Sequence, residues 1–227
     1  MERPLRVKIL GDDVVMSITD MRTVPTENGF QEVTLTTSRG EILCRYYAAE
    51  KTDKGVIMVG GTGGDFDSPA KELYPVLAEE LATKGIASLR VRYRAPNDLV
   101  ECALDVLAGL RFLKAQGVSK AGLIGHSLGG AAVIQAAAKS SIVTTLVTLS
   151  TQSNGADALT EVKEGVSSLF IHGGKDRDLP PRCSSYAYYI AKEPKEFIIH
   201  DDASHSLDEV ATEVYDEVRT WLMGNLK

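Results

Sequence analysis

The sequence is poor in cysteine and has no long hydrophobic run, and each absence excludes a class of protein. It contains three cysteines, at positions 44, 102 and 183, and no CxxC pair. Neither a disulfide framework nor a zinc site is predicted, so we expect no metal. No run of about 18 apolar residues is present, and residues 1–5 do not begin an apolar signal-peptide core. We therefore expect a cytoplasmic protein without a membrane partner.

Positive charge is also scarce. Lysine and arginine number 25 against 31 aspartates and glutamates, which gives a formal charge of −6. Nucleic-acid binders need clustered cations, so no nucleic-acid partner is predicted. A hydrophobic share of 44% with 25% charged residues is typical of a globular protein. The length of 227 residues predicts a single domain over residues 1–227, a monomer or homodimer, with residues 1–29 as an N-terminal extension of uncertain structure.

The N-terminal part of the chain alternates apolar and polar side chains. Residues 31–37 and 42–48 show this alternation on either side of a turn at Ser38-Arg39-Gly40, which predicts an antiparallel hairpin. Two shorter strands are indicated at residues 6–10 and 14–18.

After residue 54, short apolar runs alternate with amphipathic segments. Strands are predicted at residues 55–59, 86–91, 121–124, 142–149, 168–171 and 197–200. Helices are predicted at residues 71–84, 129–139, 180–192 and 207–222, with another beginning at Asn97 or Asp98. The pattern predicts the α/β class, with a mostly parallel central sheet, the N-terminal antiparallel hairpin and helices on both faces. Sites in such sheets form at the carboxyl ends of the strands.

The hexapeptide Gly125-His126-Ser127-Leu128-Gly129-Gly130 follows one predicted strand and precedes a predicted helix. This is the G-x-S-x-G motif in its strand–turn–helix setting. The small residues let the backbone pass through a strained turn, which lifts Ser127 above the sheet at a helix N-terminus that stabilises an oxyanion. A glycine-rich helix start without chemistry is the alternative, and the setting favours Ser127 as a nucleophile.

A serine hydroxyl needs an adjacent base, and the chain has four histidines. His205 lies in the loop between the last predicted strand and the last helix, from which it can reach Ser127 above the strand ends. His126 is expected to point away from Ser127, and His172 and His200 are expected to be packing residues at strand ends. The sequence therefore predicts His205 as the base, with a solvated loop histidine as the alternative.

The base needs an acid to orient its ring. Asp176 follows a predicted strand and two glycines, where a loop can bend back over the sheet. Asp178 is the rival, although it can also cap the next helix. We predict Asp176 as the acid.

Two backbone N–H groups are needed to bind an oxyanion. One is predicted at Leu128, directly after the nucleophile. The other is predicted in the glycine cluster at residues 60–64, with Thr62 as the first candidate and Gly61 as the second. A phosphate-binding turn is the alternative, but the cluster lacks the lysine of such loops, so no nucleotide cofactor is predicted.

Three arginines, Arg90, Arg92 and Arg94, alternate along and beyond the second parallel strand. They could bind an anionic substrate group, with Arg94 best placed. Ion pairing of Arg94 with Asp98 or Glu101 is the favoured interpretation.

Together these residues resemble the α/β-hydrolase superfamily, specifically its small lidless members of the dienelactone-hydrolase, carboxylesterase and acyl-thioesterase types. The resemblance covers residues 30–227 and rests on three segments: Gly125-His126-Ser127-Leu128-Gly129-Gly130, His172-Gly173-Gly174-Lys175-Asp176 and Ala203-Ser204-His205. The order nucleophile, acid, base along the chain is also that of this fold.

The resemblance implies a Ser127–Asp176–His205 triad that hydrolyses a carboxylic ester or thioester of a small-molecule acyl substrate through an acyl-enzyme. Dienelactone hydrolases proper use a cysteine nucleophile, so their substrate is not implied. The alternatives are an acyltransferase with the same triad and a non-enzymatic ligand-binding protein of this fold. Residues 151–166 are too few for the helical cap that many relatives insert there, which predicts a lidless and open site.

Overall fold

The computed structural model describes residues 3–226, which form a nine-stranded sheet, a separate two-stranded sheet and five α-helices. The large sheet has the strand order β11-β10-β9-β8-β6-β7-β5-β4-β3. Its strands are β3 (Ile18–Pro25), β4 (Gln31–Thr37), β5 (Gly40–Tyr47), β6 (Lys54–Val59), β7 (Ala87–Arg92), β8 (Lys120–His126), β9 (Val143–Leu149), β10 (Ser167–Gly173) and β11 (Lys195–His200).

The sheet has a parallel part and an antiparallel part. Strands β6 to β11 pair in parallel, whereas β3, β4 and β5 pair antiparallel and join the rest where β5 meets β7. The parallel strands carry almost continuous buried apolar runs, as expected of strands that are covered on both faces. The predicted fold class and the hairpin of β4 and β5 are confirmed.

Helices cover both faces of the sheet and divide the core into two clusters. Helices α2 (Leu99–Ala115), α3 (Leu128–Ala137) and α4 (Arg182–Ile190) pack on one face. Helices α1 (Pro69–Thr83) and α5 (Ala211–Asn225) pack on the other. Because both faces of the sheet are covered, the ends of its strands are held in fixed positions, and the candidate site lies at these ends.

The N-terminal residues contribute more to the fold than the sequence pattern indicates. The two short strands form a separate antiparallel hairpin of β1 (Leu5–Ile9) and β2 (Asp12–Met16), close to where they are predicted. The next strand, β3, has no counterpart in the prediction. It pairs with β4 and forms one edge of the large sheet, so residues 18–25 are an integral part of that sheet rather than an appendage to it.

Two helix boundaries differ from the sequence expectation. A single helix is predicted at residues 207–222, but the structure has a 3₁₀ turn at Asp208–Val210, and α5 begins only at Ala211. In α1, residues 70–72 have positive φ values and make a left-handed turn, and regular helix follows from Leu73. The amide of Ala70 donates to the Ser206 carbonyl at 2.7 Å, so this turn contacts the loop that carries His205.

Candidate active site

Ser127 lies at the sharp turn between β8 and α3, at the carboxyl edge of the sheet. Its backbone has φ 55° and ψ −121°, a conformation that is costly for a residue with a side chain. The Ser127 amide is anchored by donation to the Leu149 carbonyl on β9, at 2.9 Å. This strained strand–turn–helix connection has the geometry of a nucleophile elbow.

The glycines around Ser127 are explained by close backbone contacts. A Cβ on Gly125 would lie 2.1 Å from the Gly129 carbonyl oxygen, and a Cβ on Gly129 would lie 2.3 Å from the Gly60 carbonyl oxygen. Because these neighbours are backbone atoms, they cannot move aside as a flexible side chain could. The elbow is therefore held in shape by the absence of side chains at these positions.

The loop after β6 faces the elbow, as the sequence predicts. A Cβ on Gly61 would lie 3.1 Å from Ser127 Cβ. The Gly61 amide donates to Asp67 Oδ2 at 3.4 Å, whereas the amides of Thr62 and Leu128 have no hydrogen-bond acceptor within residues 3–226. Of these three amides, only that of Gly61 has an acceptor, which favours Thr62 over Gly61 as the second donor.

Asp176 and His205 lie in direct contact. His205 Nδ1 donates to Asp176 Oδ2 at 2.7 Å, and the other oxygen, Oδ1, accepts from the amides of Asp178 at 2.9 Å and Leu179 at 2.8 Å. Asp176 is buried, whereas Asp178 is exposed. Asp176 is thus the carboxylate that holds the imidazole, and Asp178 supports it through its backbone.

The loops that carry Asp176 and His205 are joined along their backbones. The Gly174 amide donates to the His200 carbonyl at 2.8 Å, and the Lys175 amide donates to the Ala203 carbonyl at 2.9 Å. A Cβ on Gly173 would lie 2.3 Å from the Ser204 carbonyl oxygen. The glycines after β10 therefore let the two loops approach closely enough for Asp176 to reach His205.

His126 does not point away from the site, contrary to the sequence expectation. Its Nε2 lies 3.0 Å from the His205 carbonyl oxygen, and the two imidazole rings are 4.8 Å apart. Burial lowers the pKa of His126 to about 4, so the ring is neutral near pH 7 and donates from Nε2 to that carbonyl. This contact ties the loop that carries His205 to the elbow that carries Ser127.

The other two histidines occupy different environments. His200 Nε2 lies 3.0 Å from Glu217 Oε2 on α5. His172 is fully buried, as expected of a packing residue, but its Nε2 also lies 3.1 Å from Asp176 Oδ2. The sequence analysis does not predict this contact, although Asp176 lies only four residues further along the chain.

The three arginines are not brought together as one anion site. Arg94 pairs with Glu101 at 2.8 Å, as expected, and with Asp105 at 2.6 Å, which the sequence analysis does not predict. Asp98 instead caps α2 by accepting from the amides of residues 100 and 101. Arg90 is buried, lies near the Phe66 ring and donates to the Phe66 carbonyl, so it supports the loop after β6.

One group of side chains within residues 3–226 has the composition of a metal site. Asp176, Asp178 and His205 each offer a ligand atom within 4.8 Å of the others. However, Asp176 and His205 already share a hydrogen bond, and an ion bound there would break it. The arrangement suits proton transfer better than metal binding.

Comparison with known proteins defines the fold. The sequence matches no family model and no curated protein. The structure resembles a dienelactone hydrolase from Anabaena variabilis, with 23% identity, a TM-score of 0.74 and coverage of 88% of this chain and 100% of that one. It also resembles an esterase domain from Rhodothermus marinus, with 21% identity, a TM-score of 0.70 and coverage of 92% and 100%. The chain adopts the α/β-hydrolase fold.

A third α/β-hydrolase structure bears on the shape of the site. It is an α/β serine hydrolase without a lid from Xanthomonas campestris, with 18% identity, a TM-score of 0.71 and coverage of 89% of this chain and 97% of that one. In the present chain, the segment between β9 and β10 contains a single short 3₁₀ helix at Ala156–Glu161. No helical cap is inserted at this point of the fold. Within residues 3–226, no helix is both long and apolar enough to cross a bilayer.

Proposed function

We propose that this protein is a serine hydrolase that cleaves a carboxylic ester or thioester through an acyl-enzyme on Ser127. The observation that carries the proposal is the 2.7 Å contact of Asp176 with His205, in a loop that is hydrogen-bonded to the strained elbow of Ser127. An oriented imidazole, a serine hydroxyl that is not fully buried and free amides are the parts that acyl transfer requires. The similar structures include an esterase domain and an α/β serine hydrolase, which supports the same chemistry.

The first half of the reaction forms the acyl-enzyme. His205 Nε2 accepts the Ser127 proton as Oγ attacks the substrate carbonyl, and Asp176 stabilises the resulting imidazolium through Nδ1. The amides of Leu128 and Thr62 donate to the oxyanion that develops on the carbonyl oxygen. His205 then gives its proton to the departing alcohol or thiol.

The second half releases the acid. Water enters, His205 removes its proton, and the hydroxide attacks the acyl carbonyl in the same oxyanion site. Collapse of this intermediate breaks the bond to Ser127 Oγ, which recovers its proton from His205. Because no helical cap is inserted between β9 and β10, the proposed substrates are small to medium acyl compounds that reach the site from solution.

Covalent labelling tests this proposal directly. A fluorophosphonate probe should label the wild type at Ser127, identified by peptide mapping, and Ser127→Ala should abolish labelling without loss of fold. Ser153→Ala is the matched control, because Ser153 is an exposed serine beyond the elbow, and it should label normally. Folded wild type that takes no label at Ser127 would overturn the proposal.

A substrate panel then separates the acyl classes. Hydrolysis of p-nitrophenyl esters and acyl-CoA thioesters of increasing chain length would show which leaving group the site accepts. Product analysis with an added alcohol or thiol tests water as the acceptor. Hydrolysis should dominate, and transfer to the added acceptor as the main reaction would replace the hydrolase with an acyltransferase.

A further inference from the structure

His172 lies close to the same oxygen of the proposed acid as His205, yet the mechanism above gives it no role. It lies near the end of β10, four residues before Asp176, and its side chain is fully buried. Its Nε2 is 3.1 Å from Asp176 Oδ2 and 3.0 Å from the Leu179 carbonyl oxygen. Its Nδ1 is 2.6 Å from Ser184 Oγ on α4.

These contacts fix the position of the proton on the His172 ring. A carboxylate oxygen and a carbonyl oxygen can only accept, so Nε2 must carry a proton. Burial lowers the pKa of His172, which keeps the ring neutral near pH 7. A neutral ring has a single N–H, so Nδ1 is an acceptor and Ser184 donates its hydroxyl proton to it.

The single N–H of His172 donates to the Leu179 carbonyl and also lies close to Asp176. Oδ1 of Asp176 accepts from two amides, those of residues 178 and 179, and Oδ2 accepts from His205 Nδ1 and lies 3.1 Å from His172 Nε2. The Leu179 peptide group takes part on both sides, since its N–H donates to the carboxylate and its carbonyl accepts from His172. A carboxylate held by donors on both oxygens cannot rotate freely away from His205.

We propose that His172, held in its Nε2–H form by Ser184, is a positioning residue that aims the Asp176 carboxylate at His205. This role rests on the proposed function, because it acts only through the acid and base of that reaction. His172 does not touch the substrate. It lowers the conformational freedom of Asp176 and shares the negative charge of Oδ2 with His205.

The loss of this contact should lower the rate of the reaction at Ser127. A misplacement of catalytic groups on the order of 1 Å can cost about 100-fold in rate. The other partners of Asp176, which are His205 Nδ1 and the amides of Asp178 and Leu179, are unchanged in the variants below.

Two pairs of variants test the role of His172. His172→Leu removes the donor, whereas the amide of His172→Gln can place an N–H near the position of Nε2. We expect fluorophosphonate labelling of His172→Leu to slow by about 100-fold, and His172→Gln to recover at least about tenfold of that loss. Ser184→Ala should slow labelling in the same direction by a smaller factor, and Ser184→Thr, which keeps the hydroxyl, should not.

Nuclear magnetic resonance of the wild type supplies a readout that needs no variant to fold. The ¹⁵N shifts of His172 should report the neutral Nε2–H form from pH 7 to pH 8. A neutral Nδ1–H form, or a protonated ring in that range, would overturn the proposal.

The labelling outcomes separate this role from the proposed function. If the wild type takes no label, the proposed function fails and the role of His172 fails with it. If the wild type is labelled but His172→Leu reacts at the same rate, only the positioning role fails. It also fails if His172→Gln is as slow as His172→Leu, because a purely structural effect would not distinguish a donor from its absence.

Discussion

The nucleophile elbow and the acid–base loops are held in place by different forces. At the elbow, backbone segments approach so closely that a single Cβ on Gly125 or Gly129 would overlap a carbonyl oxygen. Between the acid and base loops, the geometry depends mainly on hydrogen bonds, from Asp176 to two amides and to His205. One half of the candidate site is therefore determined by steric exclusion and the other by a polar network.

This difference explains which substitutions each half of the candidate site tolerates. Steric exclusion leaves the elbow no alternative packing, so it can hold Ser127 in a strained conformation. When a hydrogen-bond network loses one member, the protein can stay folded while the remaining side chains lose their alignment. Substitutions at the elbow should therefore cost stability, and substitutions among the acid–base partners should cost activity first.

The largest effect is expected at the acid. In Asp176→Asn, the amide oxygen can still accept from the loop amides, so the fold should persist, but His205 loses its charged partner and its preferred tautomer. The rate of Ser127 acylation should fall by about 10⁴-fold, measured by the kinetics of fluorophosphonate labelling. Asp178→Asn is the control and should stay within about threefold of the wild type. Equal losses in both variants would contradict the assignment of Asp176 as the acid.

At the elbow, Gly125→Ala tests the steric half. The new methyl group would lie 2.1 Å from the Gly129 carbonyl oxygen, and the backbone cannot move aside without breaking the turn. The free energy of unfolding should fall by about 4 kcal/mol or more, measured by urea denaturation.

Gly224 provides the matched control for that substitution. It lies in α5, and a Cβ there would meet no atom within 4 Å. Gly224→Ala should be neutral or stabilise the protein by up to about 1 kcal/mol, because alanine favours helix. Similar stability of the two variants would show that the elbow is not held by exclusion.

His126 joins the elbow to the loop of His205, and its burial predicts how the stability of the fold depends on pH. The pKa of His126 is about 4 in the folded protein and near its ordinary value of about 6.5 when unfolded. The unfolded chain therefore binds a proton between these values, and His126 destabilises the fold as pH falls from 6.5 to 4. The effect should be about 2–3 kcal/mol.

The comparison with His126→Gln isolates this contribution. Burial raises the pKa of Asp105 to about 6, which acts in the opposite direction over the same pH range, but it does so in both proteins and cancels in their difference. The stability advantage of the wild type over the variant should shrink by about 2–3 kcal/mol between pH 7 and pH 4, measured by urea denaturation. Parallel stability curves would contradict a buried neutral His126.

The same contrast separates what could be predicted from the sequence from what could not. The elbow was predictable because steric exclusion requires glycine at fixed spacings, and residue type is visible in the sequence. The parallel strands were predictable because burial on both faces requires continuous apolar runs, as in β6 and β8. Strand β3 was missed because it forms a sheet edge and most of its side chains are exposed, so it carries little of that pattern.

Polar networks were less predictable because their members are distant in the chain. The sequence suggested Asp176, but it could not show that Ser184 and Leu179 would fix the tautomer of His172 beside it. Nor could it separate Thr62 from Gly61, because the difference arises where the loop folds back and Asp67 accepts from the Gly61 amide.

The smallest effect is expected for Thr62→Ala, and with Thr62→Pro it tests that last distinction. If the Thr62 contribution is its backbone N–H, then Thr62→Ala keeps the donor and should retain acylation within about threefold. Thr62→Pro removes the N–H and should lose about 100- to 1,000-fold, the usual cost of one oxyanion donor. A large loss in Thr62→Ala would assign the donor to the hydroxyl, and an unaffected Thr62→Pro would return the role to another amide of the loop.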